Sequence, residues 1–168
     1  VTRGQPLLSF VPSGRAGKPA AIPGRLVARA APAAAQATRR RQLSLEMGMG
    51  GMRGMGGMRG GGFAINGRAF DMERIDQRVR LGDTEIWEVS SNMMAHPFHI
   101  HGVHFEVLSR GGRPPLARDA GLRDTVLVQE PVELLVRFTQ PSGRSPFMYH
   151  CHILEHEDAG MMGQFTTV

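Results

Sequence analysis

Apolar and polar residues alternate in a series of short segments along the chain. The clearest, residues 132–139, has four apolar side chains on one face: Val132, Leu134, Val136 and Phe138. An alternation of period two is typical of a strand that packs one face against a core. The same pattern predicts strands at residues 39–46, 84–90, 103–108, 125–129, 147–150 and 163–168. Turn residues separate these segments, so the sequence predicts an all-β fold, either a sandwich or a barrel.

Residues 1–38 differ from the rest in composition. They are rich in Pro, Gly, Ala and Arg, which is typical of a linker. Short strands are predicted at residues 7–11 and 25–28, without a core of their own. We therefore expect the folded domain to span residues 39–168. The chain starts at Val1 without an initiator Met or a signal pattern, and we expect that its N-terminus has been cut.

The net charge of +5 is unevenly distributed. Residues 1–60 carry ten Lys/Arg and one acidic residue, and residues 61–168 carry ten Lys/Arg and fourteen acidic residues, giving +9 and −4. The folded part is therefore acidic, and no nucleic-acid partner is predicted for it. No apolar run reaches the length that crosses a bilayer, so no membrane segment is predicted. A single cysteine excludes an internal disulfide.

A low-complexity segment, the Met/Gly tract (residues 47–62), reads MGMGGMRGMGGMRGGG. Glycine at this density holds neither helix nor strand, so a flexible loop is one interpretation. The other is a thioether-rich segment that attracts Cu(I), because thioethers are soft ligands. Its five methionines are Met47, Met49, Met52, Met55 and Met58. An Arg/Gly nucleic-acid tail is a remote third option, since such tails usually interleave aromatic residues.

Metal chemistry is indicated by the histidines, all seven of which lie between residues 96 and 156. The only cysteine, Cys151, lies between His150 and His152, with His156 and Met161 following. Two imidazoles, one thiolate and a distant thioether suit a blue-copper site. Zinc is the main competitor because it takes the same nitrogen and sulfur ligands, but a thioether has little attraction for it.

Strand alternation divides these ligands between two sites. In an extended His150-Cys151-His152 segment, the two histidines point to one side and the cysteine to the other. His99 and His101 have the same spacing and share a face in the same way. Two metal sites joined through the backbone of Cys151 are therefore predicted. His104 has the opposite parity and is predicted to be structural or exposed.

These motifs resemble those of a known family. HPFHIHG at residues 96–102 and HCHILEHEDAGMM at residues 150–162 are similar to the two C-terminal copper signatures of multicopper oxidases. FAINGRAFDM at residues 63–72 and the Met/Gly tract are similar to bacterial periplasmic cuprous oxidases of copper tolerance. The resemblance covers residues 39–168 and implies a cupredoxin-like Greek-key β-sandwich. Residues 1–38 loosely resemble the end of the preceding domain and its linker.

The resemblance also implies a role for each copper ligand. The type 1 copper ligands would be His96, Cys151, His156 and axial Met161. His99 would bind the type 2 copper, and the type 3 pair would be bound by His101, His150 and His152. Cys151 would carry electrons from the first site to the second.

Substrate and proton roles follow from the same resemblance. Met94 matches a methionine that binds the Cu(I) substrate, and the methionines of the Met/Gly tract would assist it. Asn92 stands where an aspartate is expected, which implies a weaker or rebuilt substrate site. Glu157 matches an acid that relays protons to O2; an exposed acid in an acidic run is the alternative interpretation.

The chain carries only half of the family's trinuclear copper site. The family uses eight histidines there, four of them from an N-terminal domain, and this chain has no further His-X-His motif. Alone it is expected to be inactive. Within a complete periplasmic enzyme, Cu(I) or a phenolic donor would be oxidised and O2 reduced to water. The alternatives are a stand-alone electron-transfer cupredoxin and a copper-binding or storage protein.

Overall fold

The computed structural model describes residues 8–11, 14, 17, 20–24, 34–48 and 62–168. The chain divides into two compact units, residues 1–30 and 31–168. In the first unit the described residues form neither helix nor strand, and the side chains of Leu8, Phe10 and Val11 are exposed. The strand predicted at residues 7–11 is therefore wrong over residues 8–11. The strand predicted at residues 25–28 and the inner part of the Met/Gly tract, residues 49–61, lie outside the described residues.

The second unit is a sandwich of two five-stranded sheets, which confirms the predicted all-β class. The first sheet has the order β2-β1-β4-β8-β6 and the second β3-β10-β9-β5-β7. The strands are β1 (Arg39–Met47), β2 (Phe63–Ile65), β3 (Gln77–Val79), β4 (Thr84–Ser91), β5 (His96–Ile100), β6 (His104–Arg110), β7 (Thr125–Val128), β8 (Val132–Arg137), β9 (Phe147–Cys151) and β10 (Met162–Thr167). Short 3-10 turns occur at Ala34–Gln36 and Ala117–Asp119.

The core lies between the inner faces of the two sheets. Trp87 of β4 is fully buried at its centre, and its ring meets Tyr149 and Phe165 edge-on at centroid distances of 5.6 and 6.0 Å. Its indole N–H donates to the Glu85 carboxylate at 2.9 Å, so the buried polar group has a partner. The predicted apolar face of β8 is buried as well, because Val132, Leu134 and Val136 alternate inward.

One helix, α1 (Leu154–Asp158), interrupts the chain between β9 and β10. The sequence analysis did not predict it, since five residues are too few to show helical periodicity. It brings His156 back toward the strand that carries Cys151. No helix in the described part of the chain has the length and apolar character needed to cross a bilayer.

Candidate metal centre

Strands β5 and β9 position most of the predicted ligands. They are antiparallel neighbours in the second sheet, with Phe98 opposite Cys151 and His99 opposite His150. Residues directly opposite each other in a ladder point to the same face. Cys151 therefore shares the buried face with Phe98, and His150 shares the other face with His99. The two predicted groups of ligands are thus on opposite faces of one strand pair.

The first group is the His–Cys–His triad (His96, Cys151 and His156). The Cys151 Sγ atom lies 3.4 Å from His96 Nδ1 and 3.5 Å from His156 Nδ1, and the two nitrogens are 3.2 Å apart. All three side chains are buried. They come from β5, from β9 and from α1, so the site depends on the helix that the sequence analysis missed.

Burial controls the charge of the triad. It raises the pKa of the Cys151 thiol, while an N–H from Ile153 opposes this shift and the charge of Glu157 adds to it. Burial also lowers the pKa of His96, and the neighbouring His156 ring lowers it further. Without a cation, Cys151 and His96 therefore favour their uncharged forms. A bound cation would favour the thiolate and the neutral imidazoles that metal binding requires.

The donor set of the triad fits copper. Three ligand atoms separated by 3.2–3.5 Å in a closed pocket is the spacing expected around one ion with bonds of about 2.0–2.3 Å. His96 Nε2 is buried with no hydrogen-bond partner among the described residues, so only Nδ1 of that ring faces other polar atoms. Two imidazole nitrogens and one sulfur suit Cu and Zn alike. Any preference for copper therefore depends on the thioether.

Met161 is the thioether that the sequence analysis assigned to this site. It is fully buried and belongs to the same core cluster as Cys151. Its backbone N–H donates to the carbonyl of His156 at 2.9 Å, and its carbonyl accepts from the N–H of Cys151 at 3.1 Å. The backbone of Met161 is therefore tied to two members of the triad.

The second group is the four-histidine cluster (His99, His101, His150 and His152). The ring centroids of neighbouring members lie 4.9–5.4 Å apart. His101 Nε2 and His150 Nε2 are 3.1 Å apart, and the ligand atoms of His99, His101 and His150 lie close enough to hold one metal ion. Burial lowers the pKa of His101, with a further lowering from His99 and His150. Neutral imidazoles are the form that binds metals.

Hydrogen bonds at the opposite ring nitrogens orient two of these imidazoles. His99 Nδ1 lies 2.9 Å from the Asp124 carbonyl and 3.0 Å from the Thr125 hydroxyl. His150 Nδ1 lies 3.0 Å from the Cys151 carbonyl. A carbonyl can only accept, so each Nδ1 carries the proton and each Nε2 keeps its lone pair for a ligand. The sequence analysis missed Asp124 and Thr125, which are brought in by the pairing of β5 with β7.

Glu157 lies beside the same cluster. Its Oε2 atom is 3.2 Å from His150 Nδ1, and a quarter of its side chain is exposed. It therefore connects a histidine of the cluster with the protein surface. His104, in contrast, is exposed on β6 in the other sheet, as strand parity indicated.

The four-histidine cluster is open on this chain. His101 and His152 are exposed, and His99 is half-buried. A cavity of about 430 Å³ adjoins it, with His99, His101, His104 and Asp124 among the residues that line it. The His–Cys–His triad is closed by contrast. The triad is therefore enclosed by residues of this chain, while the cluster has room for additional ligands.

Of the methionines predicted to bind Cu(I), the structure describes two, Met47 and Met94. Met94 is 45% exposed, and Met47 is half-buried at the end of β1. Met49, Met52, Met55 and Met58 lie outside the described residues. Asn92 contacts Met47: its Oδ1 accepts the Met47 N–H at 3.2 Å, and its Nδ2 lies 3.5 Å from the Met47 carbonyl. The residue that replaces the expected aspartate thus fixes the start of the Met/Gly tract.

Comparison with known proteins gives a consistent result. Residues 38–168 match the family model described as multicopper oxidase. The chain is 41% identical over 109 residues to multicopper oxidase mco of Staphylococcus haemolyticus (60% of this chain, 23% of that protein). It is 46% identical over 101 residues to cell division protein FtsP of Pectobacterium atrosepticum (60% and 21%). The chain therefore spans less than a quarter of the length of these curated relatives.

A solved structure is similar over more of the chain. It is the laccase-like multi-copper oxidase CueO from Ochrobactrum sp., described as having oxidase activity towards lignin model compounds and lignosulfonate. The two share 36% identity with a TM-score of 0.74, over 86% of this chain and 34% of that one.

Proposed function

Because the chain belongs to the multicopper oxidase family, we propose that residues 39–168 form the C-terminal cupredoxin domain of an oxidase that takes electrons from Cu(I) or a phenolic donor and passes them to O2. The observation that carries this proposal is the junction at Cys151. Its sulfur belongs to the His–Cys–His triad, while His150 and His152 on either side belong to the four-histidine cluster. A protein that only bound or shuttled one copper ion would not need the second set of ligands.

Copper would supply one-electron exchange with the donor at the triad and reduction of O2 at the cluster. In this proposal His96, Cys151, His156 and Met161 hold the type 1 ion, and His99 holds the type 2 ion. The type 3 pair is held by His101, His150 and His152. The side chain of Cys151 and its peptide bonds form a continuous covalent path between the two sets of ligands.

Glu157 is proposed as the residue that moves protons to the oxygen-reducing site. Its carboxylate contacts His150 Nδ1 at 3.2 Å and is partly exposed, so it can exchange protons with water at Oε2. A general acid must lie within hydrogen-bond reach of the group it serves or reach it through one water. This position supports a relay rather than a purely structural acid.

The substrate end of the reaction is proposed to involve methionines. Met94 is two residues before His96 and is partly exposed, and Met47 begins the Met/Gly tract. Thioethers favour Cu(I) over harder cations, so these residues and Met49, Met52, Met55 and Met58 would gather cuprous substrate. Phenolic or other small organic reductants are the second proposed class of donor.

The cluster would be completed by histidines from N-terminal cupredoxin domains. Four imidazoles on an open face are half of the set that the family uses, so the chain alone is proposed to lack oxidase activity. A periplasmic location is proposed from the resemblance to bacterial cuprous oxidases. Residues 1–38 would then be the end of the preceding domain and its linker.

A relative named as a cell division protein is as similar as one named as an oxidase, so a role in cell division is the second candidate. The complete triad favours oxidation, because three buried ligand atoms converge there without another use. A stand-alone electron-transfer cupredoxin or a copper-storage protein would also keep this triad. Neither of these requires the four-histidine cluster.

Copper counting together with oxygen uptake tests the proposal. We expect the isolated chain to hold about one copper ion tightly, to be intensely blue and to consume no O2 with a phenol. The same residues joined to the N-terminal domains should hold about four and consume O2. A colourless copper-loaded chain would refute the triad assignment. A blue full-length protein without oxygen uptake would favour the electron-transfer or non-catalytic alternatives.

A further inference from the structure

Phe63 stacks on a histidine of the His–Cys–His triad. The ring centroids of Phe63 and His156 are 4.5 Å apart, with an angle of 28° between the ring planes. It is the one contact between phenylalanine and histidine rings in the part of the chain that the structure describes. His156 is 7% exposed and Phe63 is half-buried, so the phenylalanine covers one face of an otherwise enclosed imidazole.

The position of Phe63 is fixed by strand pairing. Met47 lies opposite Phe63 in the β1–β2 ladder, and the Gly48 N–H donates to the Gly62 carbonyl at its end. Asn92, the residue after the neighbouring strand β4, binds the backbone of Met47. The Met/Gly tract therefore leaves and re-enters the fold beside the residue that covers His156.

A cavity of about 220 Å³ borders Phe63. Its other lining residues include Glu46, Met47 and Asn92, which contribute a carboxylate, a thioether residue and an amide. The remaining lining residues are glycines and alanines, so most of the cavity wall is apolar. Phe63 therefore borders this cavity and also stacks on His156.

We propose, building on the proposed function, that Phe63 sets the donor preference of the His–Cys–His triad by covering the face of His156 that an aromatic donor would otherwise contact. A phenol that reached the triad would give up one electron, which copper held by His96, Cys151 and His156 would accept, and would release its hydroxyl proton to water. The rate of this step depends on how closely the phenol ring approaches the ligand. With Phe63 in place, that approach is blocked, whereas a donor that needs no ring contact, such as ferrocyanide, is unaffected.

Phe63 is a positioning residue, because it acts through the imidazole of His156. An apolar cover excludes water and lowers the local dielectric around a metal site, which tunes its reduction potential. Removing the ring should admit water and favour the more highly charged oxidised ion, so the potential should fall. A purely structural phenylalanine would not change the potential in this way.

The test uses the copper-loaded 168-residue chain, oxidised and mixed in a stopped-flow instrument with 2,6-dimethoxyphenol or with ferrocyanide. Phe63→Ala should raise the phenol rate about tenfold, equivalent to about 1.4 kcal/mol of barrier, without a comparable rise for ferrocyanide. Its reduction potential, from a redox titration of the blue band, should fall. Phe63→Trp should restore wild-type rates and potential. Phe70→Ala is the matched control, since Phe70 is also half-buried and stacks on no histidine among the described residues.

Each outcome separates this inference from the proposed function. If the wild-type chain shows no blue band, the proposed function fails first. If the band forms but Phe63→Ala matches Phe70→Ala in phenol rate and potential, only the inference about Phe63 is overturned. Phe63→Val replaces the alanine variant if that variant does not fold, because valine suits a strand but is too short to cover the His156 ring; an unchanged phenol rate there also overturns the inference.

Discussion

His99 lies directly opposite His150 across the β5–β9 ladder, and their rings meet edge to face with centroids 5.4 Å apart. The adjacent pair in the same ladder, Phe98 and Cys151, points to the other face. One antiparallel pair of strands therefore carries members of both the His–Cys–His triad and the four-histidine cluster. A slip of the pairing by one residue would exchange the faces and break up both groups, so the proposed function requires this register.

Replacing Cys151 with serine should abolish the blue colour of the copper-loaded chain. Cys151 is the only cysteine, so no other thiolate can take its place. Visible absorption after copper loading is the measurement. His104→Ala is the control, since His104 is exposed on the other sheet and its loss should leave the colour intact. A blue Cys151→Ser protein would contradict the assignment of the triad.

Deleting residues 49–61 should impair oxidation of Cu(I) more than oxidation of a phenol. The N–H of Gly48 already donates to the carbonyl of Gly62, so the two ends can be joined without disturbing the pairing of Met47 with Phe63. The loss removes four thioethers, Met49, Met52, Met55 and Met58, that would gather cuprous substrate. Steady-state rates of the full-length enzyme on both donors are the measurement. Equal losses on the two donors would refute a copper-gathering role.

Glu157→Gln should slow oxygen reduction by the full-length enzyme about 100-fold, a typical contribution of one proton-transferring group. Glutamine keeps the size of the side chain and can still contact His150, but it cannot exchange a proton at Oε2. The measurement is oxygen uptake, with the blue band and the copper content recorded beside it. Glu155→Gln is the matched control, because Glu155 is an exposed acid on the same helix. A similar loss in both variants would refute the relay.

Asp119→Asn should destabilise the metal-free chain by about 3 kcal/mol at neutral pH, because the buried Arg110 loses its bidentate carboxylate and keeps only the partly exposed Glu130 as an ionic partner among the described residues. Arg110 Nε and Nη2 donate to the two carboxylate oxygens of Asp119 at 2.7 and 2.9 Å, and both residues are buried. Urea unfolding is the measurement. Glu133→Gln is the control; its partner Arg40 is 61% exposed, so a loss of at most about 1 kcal/mol is expected.

The difference in stability between the wild-type chain and Asp119→Asn should depend on pH, because of the pKa of Asp119. The hydrogen bonds from Arg110 hold this pKa below its usual value, in spite of the opposing effect of burial. The stabilisation by a carboxylate with a lowered pKa is complete above its unfolded value, about 3.9, and is lost as the pH falls through the folded value. The gap between the wild-type protein and Asp119→Asn should therefore be constant from about pH 5 to 8 and narrow below about pH 4. A gap that widens in acid would contradict this assignment.

Strand alternation predicted most of the sheet framework, because its signal is local. It identified the inward face of β8, but it gave no reason to expect that Leu135, on the other face, is also buried. Arg40 and Glu133 form an ion pair on that side of the sheet, as do Arg137 and Glu106. The aliphatic stems of such side chains can cover apolar surface. Such cover comes from side chains of neighbouring strands, so the alternation of apolar and polar residues within one strand does not predict it.

Sequence patterns describe one segment at a time, and this explains which parts of the site were predicted. The opposite orientations of Cys151 and its flanking histidines follow from the geometry of one strand, so the sequence was enough. The stack of Phe63 on His156 joins residues 93 positions apart, through the pairing of β1 with β2 and the turn of α1. The contact of Asn92 with Met47 depends likewise on β1 lying beside β4. Neither contact has a sequence pattern of its own.

The open four-histidine cluster has a practical consequence for handling the protein. Several imidazoles that converge on one exposed face act as a chelating group, so the untagged chain should be retained on immobilised nickel and released by free imidazole. Nickel carried over from such a column would occupy nitrogen ligands intended for copper. Because nitrogen ligands bind Cu²⁺ more tightly than Ni²⁺, an excess of copper should displace it. The chain should therefore bind a nickel column without an added affinity tag, and its metal content should be measured after each purification on such a column.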